Sequence, residues 1–198
     1  MKEVEITVRV NETLEECKSK LEKQNFKVIR KSKIEDIYMT QKLSLLNKDN
    51  IDEILKSCIL IRYLNVDGKE FKKLTYKNKE YSGDDIISEK KINVNCDNLN
   101  NAKELLEAVG FQELVRVKYN VTVFSDGIRE LAFQEVENLG LLLEYESNKN
   151  LEDATNEQII EEKENMLLDI LNLGIKVENN LDVKKAYELI LKNIDNKN

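Results

Sequence analysis

Histidine, proline and tryptophan are absent from this 198-residue chain, and cysteine occurs only three times. Without histidine there is no Ser-His or Cys-His nucleophile pair and no imidazole metal ligand, which removes most hydrolytic chemistries built on those parts. Any metal must then be held by oxygen, a donor set that favours Mg²⁺, Mn²⁺ or Ca²⁺ over zinc. Cys17, Cys58 and Cys96 are widely spaced and form no CxxC pair, so neither a disulfide framework nor a zinc site is expected. Long apolar runs are missing as well: CILI at 58–61 is far too short to cross a membrane, and MKEVEI lacks a signal-peptide core. A cytoplasmic protein with no membrane partner is expected. The net charge of −7 lacks the broad basic footprint of a nucleic-acid binder, so no nucleic-acid partner is expected either.

What the chain does contain is alternation. In EVEITVRV (3–10), Glu3, Glu5, Thr7 and Arg9 share one side and Val4, Ile6, Val8 and Val10 the other. Two carboxylates two residues apart on one strand face repel each other, which asks what counter-charge they serve. Further strands are read near 26–38, 57–66, 69–78, 86–95, 113–124, 128–137 and 142–147, with DGK (67–69) and SDG (125–127) as hairpin turns. A helix at 13–24 opens on the capping-box pair Thr13 and Glu16, and another at 98–110 ends at Gly110. Two tail helices, NEQIIEEKENMLLDILNLG and LDVKKAYELILKN, complete a single domain of the α+β class over 1–198, with its strands in about 1–150 and its tail in about 155–195.

Four strands carry a charged face. Arg116, Lys118, Asn120 and Thr122 alternate with Val117, Tyr119, Val121 and Val123; Lys73, Thr75 and Lys77 alternate with Leu74 and Tyr76; Glu144 and Glu146 alternate with Leu143 and Tyr145. If helices cover the apolar faces, the polar faces meet water or close on one another inside a barrel. Tyr38 and Tyr76 read as barrel-wall packing, and Asp36 as either an orienting partner for a cation or the start of a turn.

EVEITVRV, DIY (36–38), ILIRYL, LTYK, KYN and QEVENLGLLLEYE occur in the order and spacing of the signature elements of the CYTH superfamily, which the chain resembles over residues 3 to about 147. This is the family of class IV adenylyl cyclases and thiamine triphosphatases, the triphosphate tunnel metalloenzymes. KKAYELIL is similar to the family's C-terminal Lys-Ser-Tyr helix. The resemblance implies a closed eight-stranded antiparallel β-barrel with helices packed outside. It implies that Glu3, Glu5, Glu144 and Glu146 bind Mg²⁺ or Mn²⁺, and that Arg62, Lys77 and Lys118 grip a triphosphate. Four positions depart from the family pattern: Thr7 and Asn120 replace cations, Ile87 replaces an arginine two residues before Glu89, and Gln134 replaces an aspartate. Arg9, Lys73, Lys91 and Arg116 are in phase with the charged faces and are candidates to compensate.

The resemblance leaves three activities open. One is cyclisation of ATP to cyclic AMP and pyrophosphate, a second is hydrolysis of thiamine triphosphate or inorganic triphosphate, and the third is binding of a phosphorylated ligand without turnover. The tail helix either packs on the barrel or joins two copies, so a monomer or a homodimer is expected.

Overall fold

A computed structural model describes residues 4–82 and 85–196, and for positions 78–90 the backbone alone. The strands are β1 (Glu5–Arg9), β2 (Lys27–Thr40), β3 (Ile59–Val66), β4 (Lys69–Ser82), β5 (Asp85–Asn95), β6 (Gln112–Ser125), β7 (Glu130–Val136) and β8 (Gly140–Glu146). The α-helices are α1 (Leu14–Glu22), α2 (Ile51–Lys56), α3 (Leu99–Ala108), α4 (Asn156–Asn172) and α5 (Lys185–Asp195). All strand pairs are antiparallel in one eight-stranded sheet of order β1-β8-β7-β6-β2-β3-β4-β5. The β3–β4 turn illustrates how local chemistry sets that order. Asp67 and Gly68 both have positive φ, 48° and 86°, which a two-residue hairpin turn demands and which Asp-Gly adopts readily.

The expected closure is not confirmed by the strand pairing. Among the described residues no hydrogen-bonded pairing joins β1 to β5. The outer edge of β1 is taken instead by residues 176–183. Leu181 and Lys176 offer carbonyls to the Thr7 and Asn11 amides (2.8 Å each), and the Val183 and Glu178 amides donate to Thr7 and Arg9 carbonyls (2.9 Å each). An edge strand must satisfy its free amides and carbonyls, and this segment does so for β1. The sheet is nonetheless strongly curled. Strands β8 and β4 stand five spacings apart in the sheet order, roughly 24 Å if flat, yet Glu144 and Lys77 line one cavity.

Two apolar layers explain the curl. On one face Ile6, Val8, Leu131, Phe133 and Leu143 pack with Cys17 and Leu21 of α1 and Met166 and Ile170 of α4. On the other face Val115, Val117, Tyr119, Val121 and Val123 of β6 pack with Ala186, Leu189 and Ile190 of α5 and Ile51 of α2. Helix α5 therefore lies on the inner face of the sheet. Burying a valine side chain contributes about 1.5–3 kcal/mol, so the β6 row alone is a strong seat for it. No described helix is long and apolar enough to cross a membrane.

Candidate functional site

Register assigns each polar side chain to a face. Thr7 opposes Glu144, Glu5 opposes Glu146, and Gln134 opposes Leu142 and Val121, so all of these share the inner face that α5 covers. Tyr119 lies on that same face, and its hydroxyl donates to Asp36 (3.3 Å). Asp36 opposes Arg62, which opposes Lys73; Lys77 opposes Lys91. Arg62, Lys73, Lys77 and Lys91 are thus brought to the inner face together with Glu5, Glu144 and Glu146. Glu3 lies outside the described residues, as does the side chain of Ile87.

Lys118, Arg116 and Asn120 do not join them. Each alternates with an inward residue of β6, and all three are exposed on the opposite face. Arg116 is engaged there by Glu35 (2.6 Å) and Glu113 (3.1 Å). The physical reason is α5. The expectation that helices cover only the outside holds for β1 and β8, whose apolar faces meet α1 and α4, but β6 turns its apolar face inward to seat a helix. Its polar face must then face water. Arg9 is inward, yet its guanidinium donates to the Leu139 carbonyl (2.7 Å) and to Glu188 of α5, so it ties the helix down.

Between sheet and helices lies a cavity of about 110 Å³. Glu5, Thr7, Tyr38, Leu60, Lys77 and Glu144 form its sheet wall, Asp52, Leu55 and Lys56 come from α2, and Val183 to Tyr187 close it. Glu144 is its electrostatic centre. Gln134 donates its amide to Glu144 Oε2 (2.9 Å), and the Lys185 ammonium stands 3.6 Å from the same oxygen. Burial alone would raise the Glu144 pKa. The charge of Lys185, the Gln134 amide and the charges of Lys77 and Lys91 together outweigh it and hold the carboxyl below its ordinary value. Lys185 also donates to Gln134 Oε1 and sits 4.8 Å from the centroid of the Tyr119 ring.

Deeper on the same face, Arg62 grips Asp36 bidentately, Nε to Oδ1 and Nη2 to Oδ2, both 2.6 Å. Asp36 is 2 % exposed and so acts as an orienting partner, which settles the two readings of its sequence position. Burial would lower the Arg62 pKa, but the hydrogen bonds and charge of Asp36 raise it. Tyr119 is pushed well above the usual tyrosine range by burial and by the Asp36 charge.

The donor set suits a hard divalent cation in a particular way. Glu5 and Glu146 are opposed across one strand pair, and like charges so placed favour a shared counter-ion. Among the described residues no three acidic or thiol groups converge as a ready-made cage. Such a site fits Mg²⁺ or Mn²⁺ bound through one or two carboxylates, with the remaining positions left to water and to a phosphorylated ligand.

Lys185 was not legible as a site residue from sequence. Its only signal is the KKAYELIL helix opening, which reads equally well as packing.

No protein-family model and no curated protein matches the chain. Solved structures do. The PH1819 protein from Pyrococcus horikoshii OT3 is 24 % identical, with a TM-score of 0.71 over 96 % of this chain and 99 % of that one. A candidate adenylate cyclase from Vibrio parahaemolyticus is 15 % identical, with a TM-score of 0.64 over 97 % and 98 %. HpAC1 from Hippeastrum, a candidate adenylyl cyclase with a dominant triphosphatase activity, is 13 % identical, with a TM-score of 0.59 over 96 % of each chain. At these identities the likeness is one of fold, and it runs nearly end to end.

Proposed function

Taking the CYTH-type fold as premise, we propose that the inner cavity binds a small molecule carrying a triphosphate, ATP or thiamine triphosphate in class, together with Mg²⁺ or Mn²⁺, and acts on its phosphates. The observation that carries this reading is that Lys77 and Lys185 line one cavity with Glu5 and Glu144, with Lys91 opposite Lys77 and Glu146 opposite Glu5. Cations gathered from β4, β5 and α5 around carboxylates suit a polyanion bound with metal, and they suit few other small ligands.

The chain's own residues divide the work. Lys77 and Lys91 hold phosphate oxygens as point charges. Arg62, locked by Asp36, offers a fixed positive centre that needs no reorganisation when charge develops on the phosphates. Glu5, Glu144 and Glu146 would hold the divalent ion, which when bound neutralises phosphate charge. The apolar seat of α5 excludes water from the far side of the cavity. No histidine is required for chemistry that rests on positioning and charge.

Cyclase and triphosphatase chemistry are both compatible with this arrangement. Similarity to a candidate adenylate cyclase supports the first, and the activity of HpAC1 supports the second as a trait of that fold neighbour. A non-catalytic binding protein is favoured by one specific observation: Glu144 already has Lys185 and Gln134 as partners.

Incubation with ATP or tripolyphosphate and Mn²⁺ separates the readings by product: cyclic AMP, inorganic phosphate, or neither. Thermal shift with tripolyphosphate and Mn²⁺ measures binding independently of turnover, and a ligand at one hundred times its dissociation constant adds about 2.7 kcal/mol. No shift and no product would refute the triphosphate site.

A further inference from the structure

We infer that the Lys185 ammonium and a divalent cation are alternative occupants of one position beside Glu144, so that α5 brings the site its own counter-ion. This rests on the reading of Glu5, Glu144 and Glu146 as metal ligands. The ammonium is held on three sides. It stands 3.6 Å from Glu144 Oε2, it donates to Gln134 Oε1, and it lies 4.8 Å from the centroid of the Tyr119 ring. Gln134 is 3 % exposed, and both ends of its amide are used. Its oxygen accepts from Lys185 while its nitrogen donates to Glu144 (2.9 Å), which fixes the amide in one orientation. Carboxylate, amide oxygen and ring face therefore form a cradle for one positive charge.

A divalent ion cannot enter that cradle while the ammonium is in it. Two positive centres a few ångströms apart in a half-buried site repel strongly, and metal binding at Glu144 must displace Lys185. The exchange needs only a side-chain movement. Lys185 is the first residue of α5, and the helix is anchored separately by Ala186, Leu189 and Ile190 and by the Arg9–Glu188 ion pair. A flexible four-carbon stem lets the ammonium swing out while the helix stays seated. The consequence is a site whose metal affinity is set low by a tethered competitor.

The test is the dissociation constant for Mn²⁺ alone, read by the electron paramagnetic resonance signal of free Mn²⁺. Lys185→Gln removes the competitor and should tighten Mn²⁺ binding about tenfold, an effect that shrinks as salt is raised. Lys185→Arg keeps the charge and should stay within about threefold of wild type on the same electrostatic grounds. Unchanged or weaker Mn²⁺ binding by Lys185→Gln overturns the inference, as does equal tightening by Lys185→Arg. A second measurement uses the native protein and needs no variant. Trace acetylation with exposed Lys118 as internal reference should label Lys185 faster at saturating Mn²⁺, and an equal or slower rate overturns the inference. Failure of the triphosphate reading is seen separately. Wild type would then show no tripolyphosphate-dependent stabilisation in Mn²⁺, whatever the Mn²⁺ affinity of Lys185→Gln.

Discussion

Replacing Asp36 by asparagine keeps the shape of a buried ionic contact on the inner face and removes its charge. Asp36 is 2 % exposed, and the Arg62 side chain retains 20 % of its exposure. The guanidinium cannot escape by losing its proton, because the arginine pKa is too high for deprotonation in a protein. Asp36→Asn therefore strands a positive charge in a site that excludes most water, and breaking such a pair costs about 3–5 kcal/mol. For a chain of this size each kcal/mol lowers Tm by roughly 2–4 °C, so the expected loss is roughly 6–20 °C. Urea unfolding followed by circular dichroism measures it directly. Two companions sharpen the result. Asp36→Leu with Arg62→Leu removes both charges and should recover most of the loss, because apolar replacement of a buried pair is often neutral. Glu35→Gln, which breaks the more exposed pair with Arg116, should cost only about 0.2–1 kcal/mol. A cost below about 1 kcal/mol for Asp36→Asn would mean that water reaches the pair, and the burial of Asp36 described above would be wrong.

Lys77→Ala and Lys91→Ala should each weaken tripolyphosphate binding in Mn²⁺ about tenfold or more, while Lys118→Ala and Arg116→Ala leave it unchanged in the same titration; equal losses from both sets would reverse the assignment of faces. The folded Glu144 carboxyl sits below its ordinary value of 4.5, so its stabilising contribution is present above that value and is lost as pH falls through the lower folded value. Acid unfolding of Glu144→Gln should therefore lack that part of the pH dependence, and a steeper acid limb than wild type would contradict the shift. Burial, reinforced by Glu12, pushes the Cys17 thiol up to about 12, and burial pushes Cys58 to about 12; an aromatic disulfide reagent at mildly alkaline pH should modify half-exposed Cys96 first, and equal rates at all three would be inconsistent with this packing. Lys163 is 3 % exposed and holds Asp182 through both oxygens (2.8 and 2.9 Å); Lys163→Met should speed hydrogen exchange at the Thr7 and Val183 amides, and unchanged exchange would show that the clamp does not secure residues 176–183.

Periodicity located the strands because most bury one face only. EITVR alternates throughout and QELVRVKYNVTVFS does so from Val115 to Val123, and both were legible with ends shifted by one or two residues. Asp-Gly at 67–68 announced its hairpin through backbone chemistry alone. Alternation says that two faces differ, however, and not which one is inside. For β1 the polar face is inward and for β6 it is outward, and the difference is decided by where α5 docks, a contact between elements far apart in the chain. The same distance hid Lys185, whose partners Gln134 and Glu144 come from other strands. Helix α2, six residues long, is below the length at which helical spacing gives a usable pattern. Closure was an expectation of the resemblance alone, since strand patterns carry no information about which edges meet.

The segment at 176–183 that borders β1 also fixes a timetable. During synthesis β1 emerges first, its neighbour β8 comes only after six other strands, and the segment that occupies its remaining edge comes later still. Until β8 arrives, a strand that alternates isoleucine and valine with polar residues has neither ladder filled, in a nascent chain exposed to other unfolded chains. Contacts of such long sequence separation form slowly, since the intervening chain must be closed into a loop before they yield any stabilisation. Strand β1 is thus completed by a segment far along the chain, and a ribosome stalled before residue 176 would display β1 with one edge still open.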